Sequence, residues 1–238
     1  MKAIILAAGR GSRMKELTEE VPKCLIKLHG KCLLEWQLNA LRKAGISEVG
    51  IVTGYRRELL ESYDLFEFHN ERWAETNMVS SLECADSWLS SDPCIVSYSD
   101  IFYDAKAVKC LISSSSELAL TYDPDWLKLW EKRFGDPLED AETFRLDTDG
   151  NITEIGNRPK NVEEVEGQYM GLLRFTPKGW TASVGLRSKL NIEEQDRMHM
   201  TGLLNMLVQE ELCEVAALVN ETPWGELDSQ SDLRLYTD

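Results

Sequence analysis

Lys2-Ala3-Ile4-Ile5-Leu6-Ala7-Ala8-Gly9-Arg10-Gly11-Ser12-Arg13-Met14, followed by Pro22-Lys23-Cys24-Leu25, is the stretch whose reading decides the fold. Lys2–Leu6 is a short unbroken apolar run, the pattern of a strand buried on both faces. The loop after it is built of small residues. Ala7, Ala8 and Gly9 let backbone approach a ligand closely, and Gly11 permits dihedral angles that other residues resist. Successive N–H groups in such a loop form an anion-binding concavity. Arg13 adds a planar, permanently charged donor and Lys23 a mobile point charge. The combination points to a polyphosphate. A P-loop would close on Gly-Lys-Ser/Thr, whereas Gly11 is followed by Ser12-Arg13. A dinucleotide fingerprint would need glycine or alanine where Met14 stands.

The rest of the chain sharpens that reading. Its 238 residues suffice for one α/β domain with a large core. With 26 basic and 41 acidic residues the net charge is −15, a surface that repels nucleic-acid backbones and anionic lipid. Neither is expected as a partner, and cations clustered in one loop against that background are informative. Six scattered cysteines include no CxxC pair, so free thiols in a reducing compartment are expected. The apolar run at the N-terminus is too short for a signal-peptide core, and no run approaches eighteen apolar residues. These features predict a cytoplasmic protein, monomeric or a homodimer.

From Leu33 to Tyr122 strand and helix patterns alternate. Leu33–Ala44 has helical spacing and stops at Gly45, Glu48–Thr53 reads as a strand, Arg57–Ser62 as a short helix and Leu65–Phe68 as a strand. Thr76 is placed as the N-cap of a helix from Asn77 to Trp88. Cys94–Tyr98, a helix Ala105–Ser113 and a strand Glu117–Tyr122 complete a βαβ rhythm that predicts a mostly parallel, helix-covered sheet. After Asp123 the rhythm breaks. Phe144–Asp147 and Ile152–Ile155 flank a DG turn, Gln168–Phe175 and Glu214–Val219 read as strands, Met198–Glu211 as a helix and Asp228–Tyr236 as a closing helix. The expected fold is a three-layer α/β/α domain spanning residues 1–238 with a mostly parallel mixed sheet. Residues 1–122 would form the nucleotide-binding half, and 123–238 the acceptor-binding half and lid.

The string Leu6–Met14 with its downstream Pro-Lys-Cys-Leu closely resembles the nucleotidyltransferase family with a glycosyltransferase-A-like sheet, which includes sugar-1-phosphate nucleotidyltransferases and small cytidylyltransferases. Ile51–Tyr55, Asn77–Leu82, Tyr98-Ser99-Asp100 and Trp224–Asp228 fall in the order that family would place them. The resemblance implies a nucleotide-diphospho-sugar transferase type of fold. It implies that Leu6, Ala7, Ala8 and Gly9 contact base and ribose, Gly11, Ser12 and Arg13 the triphosphate, and Lys23 the reacting phosphate. Asn77 and Ser81 are within reach of a base edge. Asp100 ends the strand Cys94–Tyr98 at its carboxyl end, where open α/β sheets bind ligands, and Asp228 would join it from a distant segment. Magnesium takes one or two carboxylates plus phosphate oxygens, and the family pairs aspartates at these two places as Mg²⁺ ligands.

His29, His69 and His199 show no zinc spacing, and Asp147–Gly150 reads as a hairpin turn rather than a calcium loop. Trp126, Trp130, Trp180 and Trp224 suit either core packing or an aromatic cage for a cationic acceptor. Trp130, Tyr169, His199 and Trp224 are the candidate acceptor-binding residues, Trp224 foremost because it stands four residues before Asp228. Trp126–Ala141 and Glu166–Gly171 are similar to segments of small cytidylyltransferases acting on phosphocholine, phosphonates or phosphorylated glutamine. Asp136, Glu139 and Asp140 lie in a segment that suits either a solvated acidic loop or a cover over an amine-bearing acceptor. The expected activity is transfer of CMP from CTP onto a small phosphorylated acceptor with release of pyrophosphate. A sugar-1-phosphate nucleotidyltransferase using UTP or dTTP, and a nucleotide-binding regulatory domain without turnover, are the alternatives.

Overall fold

The computed structural model describes residues 1–237 and, at 15, 16 and 237, the backbone alone. A seven-stranded sheet runs in the order Val215–Val219, Leu118–Asp123, Gln168–Phe175, Cys94–Tyr98, Lys2–Ala7, Val49–Thr53, Phe66–His69. Gln168–Phe175 is antiparallel to both its neighbours and the other pairings are parallel. The sheet therefore takes strands from both halves of the sequence. Five consecutive buried residues from Ala3 to Ala7 put apolar side chains on both faces of the opening strand, so both faces are covered. This is the mixed, mostly parallel α/β sheet expected from the sequence. Among the described residues no helix is long and apolar enough to cross a membrane.

The helix Leu33–Lys43 forms because Leu34, Leu38 and Leu41 recur on one face and bury against the core. Glu35 reaches back to accept from the Cys32 N–H at 2.8 Å, and Gly45 at φ +96° ends the helix as anticipated. The following segments depart more from expectation. Asn77, not Thr76, is the N-cap: its side chain accepts from the Met78 N–H. The helix it opens is broken into Met78–Glu83 and Asp86–Leu89. Pro177–Arg187, capped by Thr176, and Ile192–Arg197, capped by the Asn191/Glu194 box, are helices that the sequence reading left out. Trp224–Glu226 is a further strand that the sequence reading left out. It pairs antiparallel with Ile101–Tyr103, which carries the chain directly past Asp100.

Candidate active site

The loop after the first strand is held by its own small residues. Gly11 sits at φ +67°, and a Cβ added there would stand 3.0 Å from the Lys23 Cβ. Only glycine lets the Lys23 stem pass at this distance. Thr18 Oγ1 donates to the Gly11 carbonyl at 2.8 Å, and Met14 anchors the loop in a small apolar cluster with Ile26, Leu28, Leu33 and Leu227. Leu6, Ala8, Gly9, Gly11, Ser12, Arg13 and Lys23 line a cavity of about 290 Å³, with Asn77 and Ser81 across from them. Ala7 is buried and is not among the cavity's lining residues. The polar groups of Asn77 and Ser81 are already engaged. Asn77 Nδ2 lies 3.2 Å from His199 Nδ1, and Ser81 Oγ accepts from Asn70 at 2.9 Å.

Asp100 stands in the turn between Tyr98 and Ile101. The buried side chain of Gln37 fixes that turn, donating to the carbonyls of Tyr98 at 2.8 Å and Ile101 at 2.6 Å. Leu227 N donates to the Asp100 carbonyl at 2.9 Å, continuing the pairing of Trp224–Glu226 with Ile101–Tyr103. The carboxylates of Asp100, Glu226 and Asp228 consequently offer oxygens that all lie within 4.8 Å of one another. Among the described residues this is the group able to hold a metal ion. Glu226 was not among the sequence candidates. Reading Trp224–Asp228 as extended would have found it, because alternate residues of a strand share a face.

Lys23 Nζ bridges this group, donating to Asp100 Oδ2 at 2.7 Å and to Asp228 Oδ1. Arg13 Nη2 approaches Asp228 Oδ1 at 3.0 Å, and its other Nη lies 3.8 Å from Asp140. Lys23 and Asp228 are only 8% and 4% exposed, so their charges act with little screening. Burial opposes ionisation of Asp228, yet Lys23 and hydrogen bonds from Glu226 and Lys23 hold its pKa down at about 2. Burial, with Asp228 and Asp100 beside it, pushes Glu226 well above the usual carboxylate range. Burial also works against the Lys23 ammonium, and Asp100 and Asp228 more than offset it, so its pKa is raised. Asp100 Oδ1 is buried without a hydrogen-bond partner. The site is thus made of hard oxygen donors and calls for positive charge.

A second cavity of about 170 Å³ adjoins the first, sharing Arg13, Met78 and Tyr98 with it. Two of the acceptor candidates, Tyr169 and His199, line it together with Asp140, Glu142, Glu226 and Asp228. Burial raises the pKa of Glu142, which accepts from Thr201 Oγ1 at 3.3 Å. Asp136 and Glu139 are not among its lining residues.

Two of the acceptor candidates fall elsewhere. Trp130 is 0% exposed, with ring centroids of Trp126, Phe134 and Trp224 at 6.0–6.3 Å. The helix Trp126–Phe134 presents Trp126 and Trp130 on one face, four residues apart, and that face is core. Trp224 is buried too, its indole N–H donating to Asp123 Oδ2 at 2.8 Å. Both lie outside the lining of either cavity. Trp130→Ala should therefore cost about 3–5 kcal/mol of stability by urea unfolding, while Trp130→Phe should leave the acceptor KM within about twofold, well under 1 kcal/mol.

Comparison with known proteins places the chain in a family. Residues 3–142 match the MobA-like NTP transferase domain. The chain is 36% identical to CTP:phosphoglutamine cytidylyltransferase of Campylobacter jejuni, an alignment covering 99% of this chain and 98% of that one. Choline-phosphate cytidylyltransferase of Streptococcus pneumoniae is 41% identical over 34% of this chain and 38% of its own. The solved inositol-1-phosphate CTP transferase from T. maritima superposes with a TM-score of 0.78 at 20% identity, over 99% of this chain and 93% of that one, a likeness of fold. With the domain spanning more than half of the sequence and an enzyme of this class aligned along nearly all of it, the chain belongs to the MobA-like NTP transferase family and is a nucleotidyltransferase.

Proposed function

We propose that the enzyme transfers CMP from CTP onto a small phosphorylated or phosphonate acceptor and releases pyrophosphate. The observation that carries this reading is the meeting of Lys23 and Arg13 with Asp100, Glu226 and Asp228 where the two cavities join. CTP is favoured because the relative aligned over nearly the whole chain bears a CTP-dependent name, as do shorter matches to choline-phosphate and 2-aminoethylphosphonate enzymes. The acidic wall formed by Asp140 and Glu142 suits an amine-bearing acceptor such as phosphorylated glutamine. A cytoplasmic location follows from the donor.

The three carboxylates fit Mg²⁺ by their chemistry and by the unpaired, buried Asp100 Oδ1. Asp100, Glu226 and Asp228 would hold it, and the bound ion supplies Lewis-acid neutralisation of phosphoryl oxygens. In the reaction an acceptor phosphate oxygen attacks the α-phosphorus, a new P–O bond forms and the bond to the β-phosphate breaks. That oxygen is anionic at neutral pH, so no general base is needed. The loop N–H groups from Gly11 to Arg13 would bind the triphosphate. Lys23 and Arg13 neutralise charge that builds on the reacting centre and leaving group. Positioning and electrostatics account for the rate.

Gly11→Ala should raise the KM for nucleotide about tenfold, because a side chain at positive φ costs roughly 1–2 kcal/mol and crowds the Lys23 stem. Steady-state kinetics against CTP check it. The decisive test of function is a matrix of four nucleoside triphosphates against phosphorylated glutamine, phosphocholine, 2-aminoethylphosphonate, phosphonoformate and glucose 1-phosphate, read as pyrophosphate release with Mg²⁺. Turnover only with hexose 1-phosphates and UTP or dTTP would overturn the CTP reading. Tight nucleotide binding with no release for any acceptor would overturn turnover itself.

A further inference from the structure

Arg133 lines neither cavity, yet its side chain is 0% exposed and every part of its guanidinium is engaged. Two aromatic rings of its own helix pack against it, Trp130 with its centroid at 4.7 Å and Phe134 at 4.8 Å. Nη1 donates to Glu226 Oε2 at 2.8 Å, and Nε donates to Asp232 Oδ1 at 2.9 Å. Nη2 lies 3.3 Å from Asp232 Oδ2 and 3.7 Å from Asp228 Oδ2. Asp232 in turn accepts, through Oδ2, from the N–H groups of Asp228 at 2.9 Å and Ser229 at 2.8 Å. One buried planar cation thus grips the side chain of Glu226 directly and the backbone of Asp228 through one carboxylate.

A buried ion network is a poor way to gain stability, because apolar residues of equal volume usually do as well. A planar fork that fixes the direction of two carboxylates does something apolar packing cannot. The charges also fit. Asp100, Asp140, Glu226, Asp228 and Asp232 face Lys23, Arg13 and Arg133. Five carboxylates against three cations leave, when all are ionised, an excess of two negative charges, which one divalent ion cancels.

We propose that Arg133 is a positioning residue for the cation site: acting with Asp232, it aims Glu226 and Asp228 so that their oxygens converge with those of Asp100. This rests on the metal reading given above. It adds a role for the helix Trp126–Phe134, whose Trp130 and Phe134 rings pack against the guanidinium.

The test is direct Mn²⁺ binding, followed by electron paramagnetic resonance on the full-length protein with CTP and no acceptor. Arg133→Lys keeps the charge and loses the fork, and Asp232→Asn keeps the shape but has one acceptor oxygen where two are used, so it cannot join Arg133 Nε to the Asp228 N–H. Each should raise the Mn²⁺ dissociation constant by about tenfold or more, the scale for losing a partner that orients a metal ligand. CTP affinity in EDTA should change by less than about twofold, 0.4 kcal/mol. If Arg133→Lys fails to fold, Asp232→Asn with wild-type Mn²⁺ affinity overturns the proposal alone. Asp100→Asn separates the two layers of argument. Should it weaken Mn²⁺ binding while Arg133→Lys and Asp232→Asn do not, the metal site stands and the positioning role falls. Should Asp100→Asn leave Mn²⁺ binding unchanged, the metal site falls and takes the positioning role with it.

Discussion

Lys23→Ala should lower turnover by at least about a hundredfold, the scale on which enzymes lose a single electrostatic stabiliser at the reacting centre. Among the described residues Lys23 is the one side chain that bonds both Asp100 and Asp228, and its stem passes Gly11 at contact distance. The same substitution leaves the half-buried Asp100 and the buried Asp228 carboxylates facing each other, with Arg13 still beside Asp228. Breaking a buried ion pair from one side costs about 3–5 kcal/mol when the remaining charge stays uncompensated. Thermal melting in EDTA should therefore show Lys23→Ala well below the parent protein, and Mg²⁺ should restore much of the difference. Pyrophosphate release under saturating CTP measures the catalytic part. Near-normal turnover would remove Lys23 from the reaction and leave it a structural clamp.

Asp228→Asn should be more damaging still, lowering kcat/KM by about a thousandfold or roughly 4 kcal/mol of transition-state stabilisation. Asp228 is 4% exposed and faces Lys23, Arg13 and Arg133. The amide keeps the shape and removes the charge on which all three cations converge, together with one proposed metal ligand. The expected signature is a kcat/KM loss that rising Mg²⁺ reduces only in part. A variant within about tenfold of the parent, 1.4 kcal/mol, would mean that the metal is held elsewhere.

Much of this was readable from the chain, for identifiable reasons. Strands such as Lys2–Ala7 and Cys94–Tyr98 announce themselves because burial on both faces forces an unbroken apolar run. The helix Leu33–Lys43 carries its stop signal in Gly45. The helix Pro177–Arg187 was hidden because Gly179 and Gly185 interrupt any clean apolar stripe, and its start rests on Thr176 as cap. The pairing of Asp100 with Asp228 was legible only through family resemblance, since nothing local joins positions so far apart. Glu226 was lost because Pro223-Trp224 invites a turn, and the strand there exists by virtue of its partner Ile101–Tyr103. Trp130 shows the opposite failing: an aromatic side chain four residues from another reads alike whether it faces a ligand or the interior.

The wall shared by the two cavities has a consequence for how such an enzyme can diverge. Arg13, Met78 and Tyr98 belong to both compartments, so a mutation that reshapes this wall for a new acceptor also disturbs the grip on the donor. Residues confined to the far side, such as Glu142 and Thr201, are free of that penalty. Evolution toward a different acceptor should begin there, with the donor half of the pocket carried along unchanged.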